Sequence, residues 1–122
     1  MAASGYAVEW REHYFPARVE RGTTVLASLR FRNSGDQVWR DSVKLTYRWS
    51  SAGQVSPSKD DNNRALLHRP VAPGEDVLLD RIPVRTPEAP GNYVLKFDLV
   101  NELVAFFSDK GAPALSIPVL VN

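Results

Sequence analysis

Thr23-Thr-Val-Leu-Ala-Ser-Leu-Arg-Phe-Arg-Asn33 is the stretch whose reading decides the fold. Val25, Ala27, Leu29 and Phe31 fall on one side of an extended chain, while Leu26, Ser28, Arg30 and Arg32 fall on the other. A strand satisfies that period of two and a helix does not. Val43 to Ser50 repeats it, with Val43, Leu45, Tyr47 and Trp49 facing one way and Lys44, Thr46, Arg48 and Ser50 the other. One apolar and one polar face per strand points to antiparallel sheets packed against each other on one side, with the other side in water.

The same pattern extends outward in both directions. Tyr6 to Tyr14 reads as a first strand, with Tyr6, Val8 and Trp10 on one face. Asp76 to Val84 reads as a strand broken by Pro83, which lacks the N–H a central strand needs and so implies an edge or a bulge. Asn92 to Val100 turns Tyr93, Leu95, Phe97 and Leu99 inward, and Leu115 to Val121 does the same with Leu115, Ile117, Val119 and Val121. Pro118 argues that this last strand also lies at an edge. The connections Asn33-Ser-Gly-Asp36, Ser51-Ala-Gly-Gln54, Ala72-Pro-Gly-Glu75 and Ala89-Pro-Gly-Asn92 carry turn residues. Only Val100 to Phe107 leans helical. Short strands with a turn signal about every ten residues predict an all-β sandwich of seven to eight mostly antiparallel strands. The expected layout is one domain over residues 1–122, with residues 1–5 a flexible tail and Gln54 to Arg64 a mobile polar loop.

Composition narrows the function classes. A chain of 122 residues with 43% hydrophobic and 24% charged residues can hold a core unaided. Fifteen basic residues against fourteen acidic ones leave a net charge of +1, so no electrostatic footprint for nucleic acid exists. The absence of cysteine excludes disulfides, thiolate metal sites and a cysteine nucleophile. Met1-Ala-Ala-Ser-Gly-Tyr6 has no basic and apolar leader pattern, and no apolar run reaches the ~20 residues of a membrane helix. The expectation is therefore no direct membrane insertion. The compartment stays open, and the chain is compatible with being one module of a larger protein.

Chemistry-bearing patterns are sparse. His13 and His68 lie far apart without spaced partners, and Ser56 and Ser58 have no neighbouring base. Phosphate loops, zinc helices and nucleophile elbows are absent. Asp98 reads as a residue of a polar strand face, with Glu102 just past the strand's end. Ser58-Lys-Asp-Asp-Asn-Asn63 resembles a calcium loop in composition only, lacking its central Gly and closing Glu. No catalytic residue, metal or cofactor is expected. Aromatics are the richer class: Trp10, Tyr14 and Phe15 near the start, Trp39 after a turn, and the adjacent Phe106-Phe107, one of which should leave the core. Exposed rings with polar neighbours bind sugars or protein partners.

Three segments, taken in order, carry a resemblance. They are Leu29-Arg-Phe-Arg-Asn-Ser-Gly-Asp-Gln-Val-Trp39, Val71-Ala-Pro-Gly-Glu75, and Ala89-Pro-Gly-Asn-Tyr93 running through Leu95–Glu102 to Phe106-Phe107 and the terminal strand. From Arg18 to Val121 the chain resembles an immunoglobulin-like module appended to bacterial proteins, often beside sugar-related domains. It is also similar in layout to the four-tryptophan Ig-like domain of selective-autophagy receptors. Such modules read Asp-Leu-Val-x-Glu-x-Val-x-Trp-Phe where this chain has Leu103 in place of a frequent Gly and Phe106 in place of Trp. The resemblance implies an immunoglobulin-like β-sandwich and a non-catalytic accessory role in a larger bacterial protein. A carbohydrate or envelope-associated ligand leads, at a surface including Trp10, Tyr14, Trp39, Glu102, Phe106 and Phe107. The alternative is a protein-interaction or spacing domain that docks a neighbouring catalytic domain or self-associates. The two readings differ in what the surface should offer: a groove with aromatic and polar walls for a sugar, an exposed apolar patch for a protein. An enzyme would need a pocket where His13 or His68 meets a carboxylate.

Overall fold

The computed structural model describes residues 4–51 and 63–122. The expectations for residues 1–3 and for positions 52–62, including Ser56, Ser58 and Asp60-Asp61, lie outside the described residues. Ser4–Tyr6 forms a short 3-10 turn. Nine strands follow in the described residues: β1 (Val8–Tyr14), β2 (Arg18–Val19), β3 (Thr24–Asn33), β4 (Val43–Ser51), β5 (Arg64–Leu66), β6 (Asp76–Arg85), β7 (Gly91–Asn101), β8 (Ala105–Phe106) and β9 (Leu115–Val121). The count exceeds the seven to eight expected because β2, β5 and β8 are too short to show a period in sequence.

The strands form two sheets, one in the order β1-β3-β6 and the other in the order β2-β9-β7-β4-β5, with β8 added to β7. All pairings are antiparallel except the two-residue β2–β9 contact. Ala27, Leu29 and Phe31 of β3 face Leu45 of β4 and Leu95, Phe97 and Leu99 of β7 across a common core, each at most 1% exposed. Removing each of the leucine and phenylalanine side chains among them from water contributes about 1.5–3 kcal/mol. The arrangement is an immunoglobulin-like sandwich, as the alternation implies.

Two irregularities set the sheet faces. In β6, Asp80 and Arg81 together oppose the single residue Ser28 of β3, so Leu79 and Ile82 both point inward although they are three apart. Arg81 sits at φ 56°, and the Asp80 carboxylate accepts hydrogen bonds from its amide and from the Ser28 hydroxyl. This bulge, with Pro83 behind it, makes β6 the edge strand that the proline implied. In β1 an extra residue, Arg11, sits between Trp10 and Glu12. It keeps Trp10 over the core and turns Glu12 and Tyr14 outward.

The turn motifs meet in space. The Asn33 side chain is wholly buried; its amide donates to the carbonyls of Gln37 (2.8 Å) and Val71 (2.9 Å), while its oxygen accepts from Gly35 N–H. Trp39 and Val71 exchange backbone hydrogen bonds, and Gly74 N–H donates to the Asn33 carbonyl at 2.7 Å. Asn-x-Gly and Ala-Pro-Gly-Glu are thus two halves of one junction tying the β3–β4 loop to the β5–β6 loop. Tyr93 closes the other Pro-Gly turn by donating its hydroxyl to the Ala89 carbonyl.

Three expectations need correction. The outer face of β4 is not open to water: Thr46, Arg48 and Ser50 are buried. On β7 the neighbouring Asp98 and Val100 are buried too, because Arg64, Phe106 and Ser108 reach across them. Val100 to Phe107 is not helical, since Leu103 takes φ 63° and turns the chain back into β8; a single 3-10 turn follows at Phe107–Lys110. Pro118 lies on a strand that β7 pairs along seven positions, while β2 covers the other edge only at Leu120 and Val121.

Candidate functional site

The six candidate residues do not converge on one surface. Trp39 and Phe107 are each 1% exposed, with rings 5.6 Å apart in an edge contact, so a ligand at the surface reaches neither. They belong to a run of rings through the core, Trp10–Phe31–Trp39–Phe107–Tyr6, each step 5.1–6.1 Å between centroids. Edge and tilted contacts at these separations are the favoured aromatic geometries. Trp10 is half-buried beside Phe31, and its indole N–H is committed to the Pro113 carbonyl at 2.8 Å. Three of the six therefore act in packing, two of them wholly.

Glu102 and Phe106 come together beside β4 and β5. Glu102 accepts from Arg64 Nε at 3.2 Å and lies 3.7 Å from Lys44 Nζ. The Arg64 guanidinium stands 5.7 Å above the Phe106 ring and also donates to the Thr46 hydroxyl. Phe106 thus leaves the core while its neighbour Phe107 enters it, as two adjacent residues of an extended chain must. Deeper on the same face the Asp98 carboxylate accepts from the Ser108 hydroxyl (2.5 Å), Ser108 N–H and Leu99 N–H. Burial raises its pKa, opposed in part by those hydrogen bonds and by Arg48, 4.0 Å away. These contacts engage both carboxylate oxygens, which makes Asp98 a structural anchor for the 3-10 turn.

Tyr14 alone of the candidate rings stands clear of the protein, 63% exposed on the outer face of the β1-β3-β6 sheet. Sequence reasoning missed its companions. Leu78 (70% exposed) lies opposite Arg30, and Leu26 (45%) lies opposite Pro83. Both leucines occupy positions that the alternation assigns to the wet face. An apolar residue in that register was the available signal. A groove of about 340 Å³ runs here, lined by Glu12, Tyr14, Ser28, Arg30 and Leu78 among others. Its flank is a row of ion pairs: Arg30 with Glu12 and, at 3.2 Å, Asp76, and Arg32 with Asp76 at 2.7 Å. The Arg32 hydrogen bond holds the Asp76 carboxyl below the usual carboxylate range. This face therefore has an apolar centre with a neutralised, ordered polar rim.

Among the described residues neither the His13 nor the His68 side chain makes a hydrogen bond or ion pair, and no three of His, Asp and Glu gather as metal ligands. No described helix is long and apolar enough to cross a membrane.

No curated protein sequence matches the chain. Among solved structures, the native conformation of E. coli alpha-2-macroglobulin aligns with TM-score 0.48 and 21% identity over 94% of this chain, which spans 6% of that one. The PKD domain of an M14-like peptidase from Thermoplasmatales archaeon SCGC AB-540-F20 aligns with TM-score 0.38 and 14% identity, over 94% of this chain and 92% of that one. With both TM-scores under 0.5, neither similarity carries an argument. The family model described as the Ig-like domain from next to BRCA1 gene matches residues 16–110, from Pro16 just after β1 to the end of the 3-10 turn. With that match spanning most of its length, the chain belongs to this family of Ig-like domains.

Proposed function

We propose that the chain is a non-catalytic interaction module of a larger protein, and that its partner is a protein docked on the outer face of the β1-β3-β6 sheet. One observation carries this reading: Tyr14, Leu26 and Leu78 are exposed together on one sheet face, centred on a groove and rimmed by paired charges. An apolar centre inside a polar rim is the anatomy of a protein interface. Tyrosine is among the residues that most often dominate such interfaces. The ion pairs lie on the rim, which stays solvent-accessible when a partner seats on the apolar centre. The family supports an accessory or interaction role.

The carbohydrate reading has less behind it. Sugar rings stack on exposed aromatic faces, and of the six candidate residues only Tyr14 offers one in the open. A peptide-display selection on the domain, counter-selected against Leu78→Asp, separates the two readings. The expected result is enrichment of peptides that bind wild type at least about tenfold more tightly than the variant, a loss of about 1.4 kcal/mol. Calorimetry should then find no glycan binding tighter than about 1 mM. Tight glycan binding, with no peptide that depends on Leu78, would replace the protein reading by the carbohydrate one.

A further inference from the structure

A second surface lies where β7 turns into β8. The turn is closed by Val104 N–H donating to the Asn101 carbonyl at 3.0 Å, and Glu102 N–H donates to the Ser42 carbonyl at 2.8 Å, fixing it against the β3–β4 loop. Leu103, at its tip, has φ 63°, a backbone region where a β-carbon is strained and Gly or Asn is the ordinary occupant. Its side chain is fully exposed, and Val104 beside it is 65% exposed. Folding needs none of this: glycine would relieve the strain and remove the exposed apolar surface together. Backbone strain of this kind clusters at ligand-contacting sites, where the surrounding structure holds it in place.

The β3–β4 loop that holds the turn also walls a groove, which supports that reading. A groove of about 510 Å³ is lined by Arg40, Asp41, Lys44, Leu66, His68 and Arg69 over a floor of Val43 and Leu67. Ser42, which holds the turn, sits in sequence between the lining residues Asp41 and Val43. Leu66 is exposed on the edge strand β5 and lies opposite Lys44. The lining carries three cations against one carboxylate. Lys44 and Arg69 reach Glu102 (3.7 Å) and Glu75 (3.4 Å), whereas the side chains of Arg40 and His68 make no hydrogen bond or ion pair among the described residues. The groove thus combines apolar contacts with one exposed guanidinium that has no carboxylate partner among the described residues.

We infer that this groove, with Leu103 and Val104 as its apolar lip, docks an extended segment of a protein partner carrying an apolar side chain next to a carboxylate. The apolar side chain packs against Leu66, Leu103 and Val104, and the carboxylate pairs with Arg40. This rests on the reading of the chain as a protein-binding module but uses a surface separate from the Tyr14–Leu78 face.

The test uses the full chain and a synthetic library of short peptides that place Asp or Glu next to Leu, Phe or Met, with a matched library carrying Lys in place of the acids. Binding is read by fluorescence anisotropy, and melting temperature is measured in parallel. The acidic library is expected to yield binders that the Lys library does not. Their affinity should fall about tenfold in Leu103→Gly and in Arg40→Glu and hold in Leu78→Asp. Leu103→Gly should melt at a higher temperature than wild type, so its weaker binding cannot come from unfolding. Binders that depend on Leu78 and ignore Leu103 and Arg40 would overturn the groove and leave the interaction reading standing. Failure of both libraries would overturn the groove. So would binding of anionic vesicles with the same dependence on Leu103 and Arg40 in place of peptide binding, or a Leu103-dependent dimer in sedimentation without peptide binding.

Discussion

Asp76 and Asp98 are both carboxylates on outward strand faces, yet their surroundings push them in opposite directions. Asp76 is held below the usual carboxylate range, first by its hydrogen bond from Arg32. Its contribution to stability is present above the ordinary carboxylate pKa and is lost as pH falls through its depressed value. Asp98 is raised, first by burial, so the folded chain binds its proton more readily than the unfolded chain does. Stability from Asp98 is therefore greatest below the ordinary carboxylate pKa and declines as pH rises through the raised value. Asp98→Asn keeps an oxygen to accept from Leu99 and Ser108 and removes the buried charge. Denaturant midpoints measured from about pH 3 to pH 7 should show a flatter decline on the rising side in Asp98→Asn than in wild type. Asp76→Asn should instead flatten the acid limb. Alternation placed Asp98 on the outer face correctly. Its burial was illegible because Ser108, ten residues on, supplies the cover.

At the scale of elements, the junction around Asn33 shows what a local pattern can and cannot carry. Asn-x-Gly announces a turn through its own side chain, and Gly35 N–H does donate to the Asn33 oxygen. The other half of the junction, Val71, is 38 positions away, and no period or spacing links the two. Asn33→Ala would take the side-chain donor from the Gln37 carbonyl, one of two donors from the Val71 carbonyl, which keeps Trp39 N–H, and the acceptor from Gly35 N–H. We expect a loss of about 2–3 kcal/mol, read as a lower denaturation midpoint. Faster hydrogen exchange at the Trp39 and Val71 amides should accompany it. The β6 bulge teaches the same lesson from the other side. Strict alternation from Val77 would have sent Ile82 outward, and the extra residue returns it to the core. Strands long enough to show a period were legible, whereas bulges and two-residue strands came from tertiary pairing.

At the scale of the molecule, the sandwich was legible because two-residue periodicity recurs in every long strand. The candidate site was legible only in pieces. Trp39 and Phe107 drew attention as large rings near turns, but turns in a sandwich cap the core, and these rings close it. Tyr14 stands in the open, and its partners Leu26 and Leu78 become neighbours only through the β3–β6 register. The account makes that face the place where the module meets another protein. Amide chemical-shift mapping with a display-selected binder tests this most directly. The account predicts shifts concentrated at Glu12–Tyr14, Leu26–Arg30 and Leu78–Ile82, abolished in Leu78→Asp. Shifts confined to the other sheet, or an unchanged pattern in Leu78→Asp, would contradict it.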